Sequence, residues 1–150
     1  MNRRQVRSYQ VLSRLAHVKQ SRAALALATA IAEENEAIAE VDRLSDSFGR
    51  VSDARDRCLS GDPGAAIKDY ALLSGLSEAL HERRENARGL QLDAQAQRIV
   101  KGESAGQTQR FAQSVDEELL TRQRDLAAEV ETRSVGEALA LWMQVREDAS

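Results

Sequence analysis

The chain has 150 residues, a mass of 16.5 kDa and a formal charge of -3. This size fits one domain, and the absence of a basic excess argues against a nucleic-acid-binding protein. Hydrophobic residues make up 42% of the sequence, but 24 of them are alanine and only five residues are aromatic. Because alanine gains much less from burial than a large side chain does, the composition disfavours the core of a globular enzyme and favours helices packed along a narrow seam.

Residues able to carry catalytic or metal chemistry are sparse and scattered. Cys58 is the only cysteine, so the sequence allows neither an intrachain disulfide nor a cysteine-based zinc site. His17 and His81 are far apart in the sequence, and no metal-ligand spacing relates them. No glycine-rich phosphate loop or nucleophile elbow is present. We therefore predict a protein that is not an enzyme, with no catalytic, cofactor-binding or metal-binding residues and no nucleic-acid partner.

Residues 23–32 (AALALATAIA) form an uncharged run that follows a basic region and ends in an Ala-x-Ala pattern. These features are similar to a secretory signal. The run is too short to span a bilayer, and it carries the periodic apolar stripe described next. We therefore interpret it as part of a helix and expect no stable membrane insertion. The alternative is an exported periplasmic helical protein, which cleavage after Ala32 would reveal.

The first segment carries one apolar stripe in which every step is three or four residues. That spacing predicts a coiled-coil helix over about residues 5–58. Only Gln20 and Glu34 interrupt its apolar character. The stripe comprises Tyr9, Leu12, Ala16, Gln20, Ala23, Leu27, Ala30, Glu34, Ala37, Val41, Leu44, Phe48 and Val51.

A turn is predicted over residues 59–65, where Ser60-Gly61-Asp62-Pro63-Gly64 is a strong helix-breaking signal. Asp62 could cap the next helix, with Pro63 in its first position. A return helix is predicted over about residues 66–101. Its stripe comprises Leu73, Leu76, Leu80, Arg83, Ala87, Leu90, Ala94 and Gln97.

Two helices joined by a tight turn are expected to lie antiparallel. If the fold centres on Asp62, Val51 faces Leu73 and Phe48 faces Leu76, and the two stripes come into register. A slip of one heptad would align the stripes equally well. The acidic residues of 33–46 and the basic residues of 78–91 would flank the same seam, which favours an intramolecular antiparallel pair.

The last third of the chain is predicted as a C-terminal helical segment over about residues 107–147. Residues 102–106 (GESAG) interrupt the pattern, so either the return helix continues with a flaw or a third helix folds back. In the hairpin register, residues beyond about 122 have no partner on helix one. Leu126, Val130, Leu141 and Trp142 would then be exposed and would need another surface. The predicted fold is all-α: one elongated antiparallel coiled-coil hairpin, with a possible third C-terminal helical segment.

The segment Tyr70-Ala-Leu-Leu-Ser-Gly-Leu76 follows the predicted turn and forms part of the densest apolar cluster in the chain. The chain has one overall plan over residues 5–100. It consists of a long first helix, which includes RLAHVKQSRAALALATAIAEENEAIAEVDRL, then a glycine-containing break near residue 60, and then this segment. In that plan the chain resembles the small coiled-coil stalk proteins of flagellar and type III secretion export machines.

The resemblance implies a non-enzymatic stalk that inserts its helix termini into a hexameric export ATPase and engages an export gate protein and secretion chaperones. It implies a cytoplasmic location, peripheral to the inner-membrane export apparatus. By position, it places the gate contact around Tyr70, Leu73 and Leu76. The alternative is a generic coiled-coil adaptor or scaffold protein, which stable self-association through the exposed C-terminal apolar face would distinguish.

Overall fold

A computed structural model describes residues 3–60 and 67–149 of the chain. Two long helices, α1 (Arg3–Leu59) and α2 (Ile67–Asp148), pack against each other, and these residues contain no strand. The prediction of an all-α helical hairpin is confirmed. The predicted turn over residues 59–65 falls mostly outside the described residues, as do the cap at Asp62 and the helix start at Pro63.

Helix α2 is continuous through residues 102–106, where an interruption was expected. The predicted return helix and C-terminal segment are therefore one helix of 82 residues, and no third helix folds back. A glycine inside a helix costs about 1 kcal/mol relative to alanine, which is too little to break a helix held by packing along its length. A Cβ on Gly102 would lie 3.8 Å from Leu27 Cδ1, an ordinary contact distance, so α1 packs directly over this glycine.

The apolar stripe predicted for α1 is the face that packs on α2. Leu12 is the one member of the stripe that is exposed, and the neighbouring Ser13 is half-buried in its place. Ala16 and Ala30 are fully buried, as expected where helices approach closely over small side chains. The remaining stripe residues are half-buried: Tyr9, Gln20, Ala23, Leu27, Glu34, Ala37, Val41, Leu44, Phe48 and Val51.

The stripe predicted for α2 is wrong at every second position. Leu73, Leu80, Ala87 and Ala94 do lie in the interface, but the positions between them are displaced by one residue. The side chains that face α1 there are polar, and the leucines Leu76 and Leu90 are exposed. At two of these four positions the hydrophobic pattern selected a leucine over the neighbouring polar residue, and at the other two it selected a polar residue one position too early. The observed interface positions are Ser77, Arg84, Gln91 and Arg98, in place of Leu76, Arg83, Leu90 and Gln97.

The register also differs from the one centred on Asp62. Phe48 contacts His81 and Arg84, five and eight residues beyond Leu76, which was expected to face it. Ser52 lies against Ser77. The displacement is about one heptad, which is the slip that the apolar stripes permit.

The hairpin divides into two compact units: Met1–Ala24 with Ser104–Ser150, and Leu25–Glu103. The first unit pairs the helices through contacts such as Tyr9 with Arg122 and Ser13 with Asp116. The second pairs them through contacts such as Glu34 with Arg98.

Residues 23–32 lie inside α1, and Ala30 is buried in its interface with α2. Throughout the described residues, neither helix includes a stretch apolar enough to cross a membrane.

Candidate protein-interaction surfaces

The interface of the second unit contains a line of polar contacts. Ser77 is 3% exposed, and its hydroxyl oxygen lies 3.4 Å from that of Ser52. Further along, Arg98 donates a hydrogen bond to Glu34, whose side chain is only 14% exposed. Polar pairs inside a helical seam favour one register because every other register separates them. These contacts explain why the hairpin adopts the displaced register.

Arg84 occupies the same interface and has an unusual environment. Its guanidinium carbon lies 4.3 Å from the centroid of the Phe48 ring, and Nη2 donates to His81 Nδ1 at 3.1 Å. The Nε atom is buried without a hydrogen-bond partner. The cation–π contact stabilises this arrangement by about 1 kcal/mol, while a buried unpaired donor costs about 1–3 kcal/mol. We call the polar contacts of this interface the polar seam. The polar seam therefore favours one arrangement of the two helices and lowers the stability of the hairpin.

In the first unit, Asp116 binds two side chains of α1. Ser13 Oγ donates to Asp116 Oδ1 at 2.6 Å, and His17 Nε2 lies 2.7 Å from Oδ2. The hydrogen bond from Ser13, together with the smaller effect of His17, holds the pKa of the Asp116 carboxyl below its usual range, although desolvation opposes the shift.

Serine, histidine and aspartate here do not form a catalytic triad. In a triad the histidine lies between the two others and accepts the serine proton. Here the carboxylate lies between serine and histidine, so His17 is not positioned to activate Ser13. The cluster joins α1 to α2 and does not generate a nucleophile.

The three residues predicted to contact a partner do not share one surface. Leu73 is half-buried in the interface with α1, while Tyr70 and Leu76 are exposed. Since Tyr70 and Leu76 are six residues apart on a helix, they lie about 120° apart around its axis, with Leu73 between them. A partner on one flank of the hairpin would therefore contact Tyr70 or Leu76, but not both.

Besides Ile67 at the start of α2, which is 88% exposed, the prediction did not select Leu72, which is 72% exposed. Leu72 stands one helical turn before Leu76, so the two leucines lie on the same face of α2. We call this pair the Leu72–Leu76 patch. The sequence itself indicates that Leu72 is exposed, because Leu72 lies off the stripe predicted to face α1.

A second exposed apolar surface lies in the C-terminal segment of α2, defined from here on as residues 127–148, all of which are exposed. The predicted exposure of Val130, Leu141 and Trp142 is confirmed, whereas Leu126 is half-buried. Trp142 is 59% exposed, and Arg146 lies over its ring with its guanidinium carbon 5.4 Å from the centroid. Other exposed apolar residues of the segment are Val135, Leu139, Met143 and Val145.

Among the described residues, no group of three or more histidine, cysteine, aspartate or glutamate side chains is arranged to hold a metal ion. Comparison of the chain with protein-family models, with curated proteins and with solved structures finds no match.

Proposed function

We propose that the protein is a non-enzymatic coiled-coil component of a flagellar or type III export apparatus. In this proposal it acts as a stalk in the hexameric export ATPase and contacts the export gate or secretion chaperones. It works in the cytoplasm at the inner-membrane export machinery. The observation that carries the proposal is a helical hairpin with exposed apolar residues near the start of α2, on the same plan as the stalk proteins that the sequence resembles.

The proposal assigns its gate contact to the exposed part of the predicted site. Leu73 supports the hairpin from within the interface, while Tyr70 and the Leu72–Leu76 patch are accessible. Large apolar side chains that stay exposed on a helix are candidates for partner contacts. Gate binding therefore depends on one flank, either Tyr70 or the patch.

The stalk function is tested by mixing the full chain with a hexameric export ATPase from an organism that carries this protein, and following ring assembly and ATP hydrolysis. Saturable stimulation of hydrolysis, or promotion of hexamers, supports the proposal. No stimulation and no co-elution contradict it.

The gate contact is tested with alanine variants at exposed positions. Tyr70→Ala or Leu76→Ala should weaken binding to the gate protein while helix content remains unchanged. Leu90→Ala is the matched control, since Leu90 is also an exposed leucine on α2 but lies further along the helix. If Leu90→Ala weakens binding equally, the contact is not specific to the start of α2.

A generic coiled-coil adaptor is the second candidate, and the exposed apolar side chains of the C-terminal segment favour it. An adaptor would leave the export ATPase unaffected and would still associate through this segment. The ATPase titration therefore distinguishes the two functions.

A further inference from the structure

Four apolar residues of the C-terminal segment follow a heptad pattern. Val135 and Trp142 are separated by seven residues, and Ala138 and Val145 occupy the complementary positions three residues after each of them. All four are exposed. This alternation of three and four residues is the pattern of a coiled-coil seam that lacks its second helix.

This seam is not an extension of the interface with α1. The interface passes through Leu119, Arg122 and Leu126. Its continuation at the same spacing runs through Glu129, Arg133, Gly136, Ala140 and Met143. Val135 lies two residues beyond Arg133, which corresponds to about 200° around the helix axis. A helix that followed the line of α1 would cover two charged side chains, two small residues and Met143, and it would leave Val135, Trp142 and Val145 uncovered. The face therefore requires a helix from elsewhere.

We propose that a second copy of this chain covers the face, in an antiparallel dimer with a two-fold axis near residue 140. In antiparallel coiled coils, the first core position of each heptad faces the second core position of the partner. Val135 then faces Val145 of the second copy, and Trp142 faces Ala138 of the second copy. Leu139 approaches its own counterpart across the axis. The seam is thus complementary to itself, as an isologous interface must be.

Side-chain volume favours this orientation over a parallel one. A parallel pair would place Trp142 on Trp142 and, in the next layer, Ala138 on Ala138. One layer would be overfilled and its neighbour would be left with a void, and both defects are destabilising. In the antiparallel pair each indole ring packs against a methyl group, so each of these layers has a similar volume.

Charge is also compatible with the antiparallel pair. The positions that flank its seam place Thr132 beside Arg146 of the second copy and Ser134 beside Asp148 of the second copy. These flanking pairs bring no two like charges together, and like-charge contacts are the main electrostatic barrier to self-association.

The inference is independent of the export function. In a stalk, the dimer is a form that must separate before the helix termini enter the ATPase ring. In an adaptor, it is the working assembly. The test of the dimer uses the protein alone. A negative result in that test is therefore independent of a negative result in the ATPase titration.

The association is measured by sedimentation equilibrium of the full chain and by the fluorescence of Trp142, which is the only tryptophan. We expect a concentration-dependent dimer whose emission shifts to the blue as the dimer forms. Leu139→Glu should raise the dissociation constant roughly 100-fold, because it removes two leucines and places two carboxylates at the axis. Leu25→Glu is the matched control, since Leu25 is also an exposed leucine but lies on α1, and it should leave the dissociation constant unchanged.

Orientation is measured by oxidative cross-linking after Cys58→Ala removes the native thiol. A mixture of Val135→Cys and Val145→Cys chains should form a disulfide-linked dimer, and neither variant alone should do so. A monomer at all concentrations with unshifted Trp142 emission would overturn the proposal. Cross-linking of Val135→Cys alone would mean a parallel pair, and a dimer insensitive to Leu139→Glu would mean a different interface; either result also overturns it.

Discussion

The ion pair between Glu34 and Arg98 provides the most sensitive test of the polar seam. The Glu34 side chain is 14% exposed and that of Arg98 is 38% exposed. Replacing Arg98 by leucine leaves the Glu34 carboxylate in a largely buried position without its cation. Breaking a fully buried pair costs about 3–5 kcal/mol, whereas an exposed pair contributes about 0–1 kcal/mol. The intermediate burial of this pair predicts a loss of about 2 kcal/mol.

This loss of stability is measurable by thermal unfolding followed by far-UV circular dichroism. For a chain of this size, about 2 kcal/mol corresponds to a decrease in Tm of roughly 4–8 °C. The double variant Glu34→Leu with Arg98→Leu should recover to within about 1 kcal/mol of the natural protein, because two apolar side chains can replace an ion pair inside a coiled-coil seam.

The matched control is Arg88→Leu. Arg88 pairs with Glu85 on the same helix, and each side chain is 48% exposed. Loss of the Arg88–Glu85 ion pair should lower the free energy of unfolding by under about 0.5 kcal/mol. The reasoning is refuted if Arg98→Leu is no more destabilising than Arg88→Leu, or if the double variant is as unstable as the single one.

Three further predictions concern other positions in the helices. Gly89→Ala should stabilise the protein by about 1 kcal/mol in urea unfolding, since a Cβ there meets no atom within 4 Å; an unchanged or lower midpoint would contradict this. Arg84→Met should stay within about 1 kcal/mol of the natural protein, because it removes the unpaired Nε but keeps an apolar contact with Phe48, and a larger loss in the same assay would show that the cation–π contact dominates. Asp116→Asn should lower the Tm at neutral pH but not in acid. Because folding lowers the pKa of Asp116, its contribution is present above the unfolded pKa and is lost as pH falls through the folded value; a difference in Tm that persists at about pH 2 would contradict this.

The two helices differ in how clearly hydrophobic residues mark the face that lies in the interface. The face of α1 could be predicted because most of its interface residues are apolar and recur with coiled-coil spacing. The face of α2 could not, because Ser77, Arg84 and Arg98 enter the interface while Leu76 and Leu90 stay outside it. Hydrophobicity alone cannot identify a polar residue that is buried through its contacts.

The sequence nevertheless contains one indication of which face of α2 packs against α1. Glu34 stands within the apolar stripe of α1, and a carboxylate in that position requires a cation or a hydrogen-bond donor from the opposite helix. In the structure Arg98 supplies that cation, eight residues beyond Leu90, the predicted facing position. Arg88 lies closer to that position but pairs with Glu85. Pairing Glu34 with Arg98 selects both the observed face of α2 and the observed register. The exposed C-terminal segment could be predicted from the difference in length between the two helical stretches.

The register of the hairpin determines which side chains are buried and which are free to meet a partner, so it is the central claim to test. With Cys58 replaced by alanine, Ser52→Cys and Ser77→Cys introduced together should form an intrachain disulfide, since the two hydroxyl oxygens lie 3.4 Å apart. Val51→Cys with Leu73→Cys, the pair expected from a fold centred on Asp62, should remain reduced. Rapid oxidation of the second pair in place of the first would contradict the register and the surfaces assigned from it.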